Sequence, residues 1–182
     1  MPLYFAYGTN MDPAGMAQRC RQAKALGLAR LPGHRLGLMP EGYLTVERDP
    51  SAEVHGVLWS LGLADVRPLD AYEEVGSGLY SKVYTPVMKA EGGSVGALVY
   101  VGRAGGNRPR LVGPDHLDGV IAAAEHWSLP AKHLAALRAL ARSAGPSRPA
   151  VGSGGPLPRR PVEHGPDGKP KVRPRFSTPF DR

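Results

Sequence analysis

The chain of 182 residues carries a formal net charge of +7 that is unevenly distributed. Residues 143–182 hold nine of the 19 prolines and eight of the 23 Lys and Arg but three of the 16 acids, so this tail carries +5 and residues 1–142 only +2. This distribution excludes a strongly basic domain. The single cysteine excludes an internal disulfide, and the sequence contains no apolar run of the ~20 residues that a membrane span needs. We predict a soluble cytoplasmic protein, with one domain over 1–142 and a Pro/Gly/Arg-rich tail that is disordered or loosely docked.

The N-terminal stretch predicts a strand, a tight turn and the start of a helix. Residues 4–11 begin with strand-favouring types, and the Asp-Pro pair at 12–13 is typical of a helix start. Amides of a turn ahead of a helix lack ladder partners and attract anions, so residues 8–10 are candidates for an anion site. An ordinary strand-to-helix connection explains the same pattern.

The following segments predict one helix and several strands. A helix is expected over 13–21 with Cys20 facing inward, whereas 23–31 has a mixed pattern. Strands are predicted at 34–39, 42–47 and 54–59. Because Asp-Pro-Ser-Ala at 49–52 is typical of a turn, the last two of these strands are expected to form an antiparallel hairpin.

The remainder of the domain predicts a short helix, a hairpin and two further helices. The helix over 62–72 leads into a glycine-bearing loop. Strands at 80–89 and 95–101 flank a Glu-Gly-Gly turn, and helices are expected to begin at Pro114 and Pro130. Strands and helices in no repeating βαβ order predict an α+β fold with a largely antiparallel or mixed sheet.

Two adjacent acids in the glycine-bearing loop are candidates for acid–base chemistry. Glu73 and Glu74 point in different directions, so at most one enters a given pocket. A carboxylate partly removed from water has a raised pKa and can exchange a proton near neutral pH, although such a pair is more often a solvated surface. The six histidines lack metal-site spacing and are interpreted as surface or packing residues. Phosphate-binding and serine-hydrolase motifs do not occur in the sequence.

Two motifs lie far apart in the chain. After the opening strand comes Tyr7-Gly8-Thr9-Asn10-Met11. Residues 69–80 read Leu-Asp-x-x-Glu-x-Val-x-Ser-Gly-x-Tyr. With the segments at 42–46, 54–59 and after Leu129, these motifs resemble the γ-glutamyl cyclotransferase-like family over residues 1–142. Two positions depart from the family pattern, since Thr9 replaces a serine and Glu74 replaces a glycine.

The resemblance implies a small, closed or nearly closed β-barrel with flanking helices and a cavity at one end. Its substrate would be a γ-glutamyl amide whose α-amine attacks its own γ-carbonyl, releasing 5-oxoproline and an amine or amino acid. Catalysis would fall to Glu73, without metal or cofactor. Substrate contacts would come from Tyr7, Gly8, Thr9, Asn10, Met11 and Tyr80.

Two other interpretations of the same motifs stay open. One is a non-catalytic ligand-binding or scaffold domain whose basic tail contacts an anionic partner; nucleic acid is not expected for the domain and is conceivable only for the tail. The other is a related lyase or acyl-transfer reaction. Glu74 at a glycine position implies backbone strain that would misdirect Glu73 if the loop shifts. The sequence determines neither the leaving group nor the oligomeric state.

Overall fold

The computed structural model describes residues 1–103 and 115–143. Single turns of 3-10 helix lie at Thr9–Met11 and Val75–Ser77. The strands and α-helices are β1 (Leu3–Ala6), α1 (Pro13–Arg19), β2 (Lys24–Leu38), β3 (Leu44–Ser60), α2 (Leu63–Tyr72), β4 (Tyr80–Lys89), β5 (Ser94–Gly102), α3 (Asp115–His126) and α4 (Ala131–Ser143). The predicted tail lies outside the described residues, except that Ser143 ends α4.

The five described strands close into a barrel, which confirms the predicted fold class. Their order is β1-β3-β2-β4-β5, and β5 returns to β1. All neighbouring pairs are antiparallel except β1 and β5, which run parallel with Tyr4 opposite Leu98. Tyr100 follows Leu98 by two positions and therefore shares its face of the strand. The closure thus brings Tyr4 and Tyr100 together, with ring centroids 5.6 Å apart.

The hairpin predicted between 42–47 and 54–59 is wrong, because both segments belong to the continuous strand β3. β3 pairs along its length with β2, and β2 contains residues 24–31 of the segment whose sequence pattern is mixed. The chain reverses between these two strands, where the Met39 amide donates to the Tyr43 carbonyl at 2.8 Å. At 49–52 the Asp49 carboxylate accepts the Ser51 amide at 3.0 Å, so the turn signal marks a local irregularity rather than a reversal.

The other predicted elements are confirmed with small changes in their ends. β4 and β5 form a hairpin in which Gly92 and Gly93 adopt positive φ, the conformation that favours glycine. α3 and α4 occupy the last described segment as expected. α1 ends at Arg19, two residues early, and Cys20 is buried as predicted.

One apolar core joins the barrel to its helices. Its fully buried side chains come from strands and helices alike and include Phe5, Met16, Leu58, Leu69, Leu117 and Leu137. The indole nitrogen of Trp127 donates to the Met11 carbonyl at 2.7 Å and ties the end of α3 to the turn after β1. None of the helices in the described ranges is long and apolar enough to cross a membrane.

Candidate active site

The turn after β1 leaves several backbone amides without acceptors. The Met11 amide donates to the Gly8 carbonyl at 3.0 Å, and the Asp12 carboxylate caps α1. No acceptor within the described residues takes the amides of Gly8, Thr9 and Asn10. The predicted anion-attracting group is therefore free to donate. The Met11 side chain, in contrast, is fully buried in the core.

α2 carries Glu73 at its C-terminal end. The buried Asp65 carboxylate accepts the Gly62 amide at 3.0 Å and closes the first turn. Leu69 is fully buried, and residues four apart share a face of a helix, so Glu73 follows Leu69 toward the interior. Glu74 lies off this face and is exposed, with φ of 50°. Of the two adjacent acids, only Glu73 is turned inward.

The two sequence motifs meet at a hydrogen bond. Asn10 Nδ2 donates to Glu73 Oε1 at 2.7 Å across 63 positions of sequence. It also donates to the Tyr4 hydroxyl at 3.1 Å. Asn10 is 2% exposed, and its Oδ1 is buried with no hydrogen-bond partner in the part of the chain that is described. An ionised carboxylate only accepts, which fixes the amide NH₂ on the Glu73 side and leaves Oδ1 as a free acceptor.

The environment of Glu73 brings its pKa close to neutral. Burial raises the pKa of this carboxyl from 4.5 to about 7, and the positive charge of Arg19 and the hydrogen bond from Asn10 oppose the rise. Burial disfavours the charged form, whereas a nearby cation and a donated hydrogen bond favour it. A group that titrates here can take and return a proton at neutral pH.

Four buried tyrosines lie within electrostatic reach of the Glu73 carboxylate, namely Tyr4, Tyr7, Tyr80 and Tyr100. Burial, reinforced by the charge of Glu73, raises the pKa of each hydroxyl, so all four are neutral donors at physiological pH. Three of them already donate: Tyr7 to the Tyr100 carbonyl at 2.6 Å, Tyr80 to the Leu44 carbonyl at 2.8 Å and Tyr100 to Asp70 at 2.6 Å. Within the described ranges the proton of Tyr4 has no acceptor.

A groove of about 690 Å³ is lined by Thr9, by residues of α1 and α3, and by Tyr72 at the end of α2. Thr9 and Tyr72 line it, with Thr9 Oγ1 3.3 Å from the Tyr72 hydroxyl. The guanidinium of Arg19, which also lines the groove, stacks on the Tyr72 ring at 3.9 Å. Neither Asn10 nor the half-buried Glu73 lines this groove, but the residues next to them in the chain, Thr9 and Tyr72, do.

Metal binding has no support among residues 1–103 and 115–143. No group of three or more His, Cys, Asp or Glu side chains in these ranges could hold an ion. His133 is buried, and its ring contacts that of His55 at 5.6 Å, a packing role of the kind predicted.

Sequence reasoning missed three contributors, Tyr4, Tyr100 and Arg19. Tyr4 stands in the opening strand, three positions before the first motif, and its strand position was the only signal. Tyr100 arrives through barrel closure and Arg19 through the packing of α1 on Tyr72, and neither contact leaves a local pattern in the sequence.

Comparison with known proteins identifies relatives along most of the domain. A family model described as "Gamma-glutamyl cyclotransferase, AIG2-like" matches residues 4–129. The Gamma-glutamylcyclotransferase of Mus musculus is 32% identical over 109 residues, which cover 54% of this chain and 58% of that protein. The Homo sapiens protein of the same name is 29% identical with the same coverage. The chain thus spans less than three fifths of the length of these relatives.

Solved structures share the fold. One named "Gamma-glutamyl cyclotransferase" superimposes with a TM-score of 0.70 at 24% identity, covering 84% of this chain and 92% of the other. An uncharacterized protein from Homo sapiens gives a TM-score of 0.68 at 25% identity, with coverage of 83% and 91%. The barrel and its helices are therefore an architecture that these proteins have in common.

Proposed function

Because the chain belongs to the Gamma-glutamyl cyclotransferase, AIG2-like family, we propose that it cleaves a γ-glutamyl amide by lactam formation. The observation that carries the proposal is the half-buried Glu73 carboxylate, joined to Asn10 at 2.7 Å, and Asn10 belongs to the turn after β1 with its free amides. The products are 5-oxoproline and an amine or amino acid. The small γ-glutamyl molecule is thus substrate, nucleophile and electrophile at once.

Binding of the γ-glutamyl group uses both the amides of the turn after β1 and the Asn10–Glu73 pair. Its α-carboxylate is held by the amides of Gly8, Thr9 and Asn10, since unpaired amides ahead of a helix favour an anion. Its α-ammonium faces the Glu73 carboxylate and the free Oδ1 of Asn10, which together offer two acceptors to a cation. This arrangement satisfies the one buried polar atom of Asn10 that has no partner within the described residues.

The reaction removes two protons from the α-nitrogen, which begins as an ammonium group and ends as the single N–H of the lactam. Glu73 takes the first proton from the α-ammonium, and the freed amine forms a bond to its own γ-carbonyl carbon. Glu73 gives this proton to the departing nitrogen as the amide C–N bond breaks, and its carboxylate then takes the second proton from the ring nitrogen and passes it to the released amine or to water. A pKa of about 7 suits the residue to both transfers.

Positioning and oxyanion stabilisation supply the rest. Holding amine and carbonyl in a folded conformation contributes up to about 7–11 kcal/mol in favourable intramolecular reactions. In this mechanism the developing oxyanion accepts a hydrogen bond from the Tyr4 hydroxyl, a role supported by the absence of another acceptor for that proton among the described residues. No step requires a metal or a cofactor.

The test compares 5-oxoproline release by the wild type and by Glu73→Gln over a panel of γ-glutamyl amino acids, glutathione and γ-glutamyl amines. We expect Glu73→Gln to lower kcat by at least about 100-fold, the lower end of what acid–base catalysis contributes, with an unchanged circular dichroism spectrum. Glu74→Gln is the matched control and should keep wild-type turnover, because this side chain is exposed. Undiminished release by Glu73→Gln would refute the proposal.

A second candidate is a binding or scaffold domain of the same fold. Strain at the exposed, positive-φ Glu74 would favour this candidate if it turned Glu73 away from the site. The hydrogen bond from Asn10 to Glu73 argues against such a rotation. A binding domain would retain γ-glutamyl ligands in both the wild type and Glu73→Gln without releasing 5-oxoproline from either.

A further inference from the structure

The groove between α1 and α3 is a cavity that the proposed reaction leaves without a role. Its volume of about 690 Å³ falls within the ~300–1,000 Å³ range of small-molecule sites. Its lining includes Thr9 and Tyr72, and each of these adjoins in the chain one partner of the Asn10–Glu73 hydrogen bond. On the α3 side the lining is Gly119, Ala122, Ala123 and His126, and the first three leave the space open because they are small.

The groove contains a guanidinium with unused hydrogen-bonding capacity. Arg19 stacks on Tyr72 at 3.9 Å, yet its Nη1 is buried and has no acceptor within the described part of the chain. The nearby Asp12 carboxylate accepts the amides of Ala14 and Gly15 at 3.3 and 2.8 Å and makes no hydrogen bond or ion pair with Arg19 in the part of the chain that is described. A buried donor without an acceptor is costly. Because Arg19 also lines the groove, a turn of its guanidinium toward the open space would let a ligand oxygen accept from it.

The backbone makes room for this guanidinium at Gly15. A Cβ placed on Gly15 would lie 2.5 Å from Nη1 of Arg19, closer than real Cβ contacts allow. The glycine sits inside α1, where it costs about 1 kcal/mol relative to alanine. A side chain at position 15 would therefore displace this flexible end of Arg19 from its place against Tyr72.

We propose that this groove holds the leaving group and that Arg19 selects leaving groups bearing a carboxylate, so that γ-glutamyl amino acids are preferred over γ-glutamyl amines. This inference rests on the proposed function, which supplies the γ-glutamyl half of the substrate. The planar fork of a guanidinium matches a carboxylate with paired, charge-assisted hydrogen bonds. Stacking on Tyr72 orders the fork before the ligand binds, which lowers the entropy lost on binding.

The test uses γ-glutamyl-alanine and γ-glutamyl-ethylamide, which differ only in the leaving group's carboxylate. Hydrogen bonds to charged groups correspond to roughly a 10- to 100-fold effect, so we expect the wild type to prefer the alanine compound by that factor in kcat/KM. Arg19→Gln should abolish the preference, and Arg19→Lys should retain part of it. Arg21→Gln is the matched control, an exposed arginine of the same segment, and should keep the preference.

The ratio between the two substrates is the informative quantity. The charge of Arg19 also lowers the pKa of Glu73, so its removal changes both rates. This change is common to the two compounds and cancels in their ratio. Gly15→Ala adds an independent variant that keeps the arginine and favours the helix; it should displace the guanidinium and reduce the preference in a folded protein.

A binding measurement separates this inference from the proposed function. Calorimetry on Glu73→Gln should show tighter binding of γ-glutamyl-alanine, with the difference lost in Glu73→Gln/Arg19→Gln. If this binding difference is found but the wild type turns over neither compound, the carboxylate subsite is supported and the cyclotransferase activity is refuted. Turnover of both compounds with equal kcat/KM, or a preference that survives Arg19→Gln, would refute the subsite and leave the activity standing.

Discussion

Opposing influences set the protonation of Glu73. Burial alone would hold the carboxyl protonated at neutral pH, where it could not accept a proton from an ammonium group. The hydrogen bond from Asn10 and the charge of Arg19 pull its pKa back to about 7. The residue is therefore poised between its two forms, and that balance depends on both motifs of the sequence.

Glu74 provides a test at the scale of one residue. It adopts φ 50° and ψ 41° immediately after the cap of α2, a position where glycine is preferred. A left-handed non-glycine residue costs roughly 1–2 kcal/mol, part of which glycine loses again in entropy. We expect Glu74→Gly to raise the free energy of unfolding by about 0.5–1 kcal/mol, measured by urea denaturation.

Glu74→Ala is the matched control for this prediction. It removes the same carboxylate and its 3.3 Å contact with Ser77 but keeps the Cβ in the strained conformation. It should therefore gain little stability. A Glu74→Gly protein that is less stable than Glu74→Ala would contradict the strain argument.

The sequence predicted the polar site residues that belong to local motifs but not those that join the site only through packing in the folded structure. Asn10 and Glu73 were identified, together with the strain expected at Glu74. Arg19 was not, because a single arginine near a helix end resembles any solvated charge until its stacking partner Tyr72 is known. The direction and size of the Glu73 pKa change likewise required the folded surroundings.

The long pairing of β2 with β3 shows why the order of helices and strands was easier to predict than the places where the chain reverses. Asx-type hydrogen bonding at Asp49 produces the same sequence signature in a reversal and in an irregular strand. Only the register with β2 distinguishes the irregular strand from the reversal. Pro32 lies opposite Glu53 and His34 opposite Arg48, so β3 continues along β2 on both sides of residues 49–52. That register depends on a partner strand distant in sequence, which local patterns cannot specify.

The docking of α4 on β3 makes stability depend on pH. His133 of α4 is buried against His55, and burial, followed by the nearby His55, lowers its pKa from 6.5 to about 4. Between these values the unfolded chain binds a proton that the folded state does not, so stability falls as the pH falls from 6.5 toward 4. A fully expressed shift of this size is worth up to about 3 kcal/mol.

The measurement compares urea unfolding of the wild type and His133→Asn between pH 7 and 4. Wild-type stability should decline relative to the variant as the pH is lowered. Glu73 contributes in the opposite direction, because its pKa is raised on folding, but it is common to both proteins and cancels. Parallel stability curves would show that His133 does not titrate as described.

At the scale of the whole molecule, barrel closure assembles the site. β1 and β5 lie at opposite ends of the described strand sequence, and their parallel pairing brings Tyr4 against Tyr100. No short-range pattern indicates such a closure, and only the resemblance to a family implied it. The two-part organisation into residues 1–142 and a basic tail stays a prediction from composition.

Deletion of residues 144–182 tests that organisation and leaves α4 complete. We expect the shortened protein to keep kcat/KM for a γ-glutamyl substrate within about twofold, because every side chain assigned to the reaction precedes the deletion. Binding to anionic vesicles or RNA at low salt, compared with the full chain, reports separately on the tail. Loss of turnover on deletion would contradict an independent catalytic domain.

The pH dependence of kcat/KM for γ-glutamyl amide cleavage tests the central claim most directly. If Glu73 is the base, the rate should rise with pH along a limb whose midpoint lies near 7, and Asn10→Ala should shift that midpoint upward by removing the hydrogen bond that lowers the pKa. An acidic limb at the ordinary carboxyl pKa of 4.5, or a midpoint near 7 that persists in the residual activity of Glu73→Gln, would contradict it.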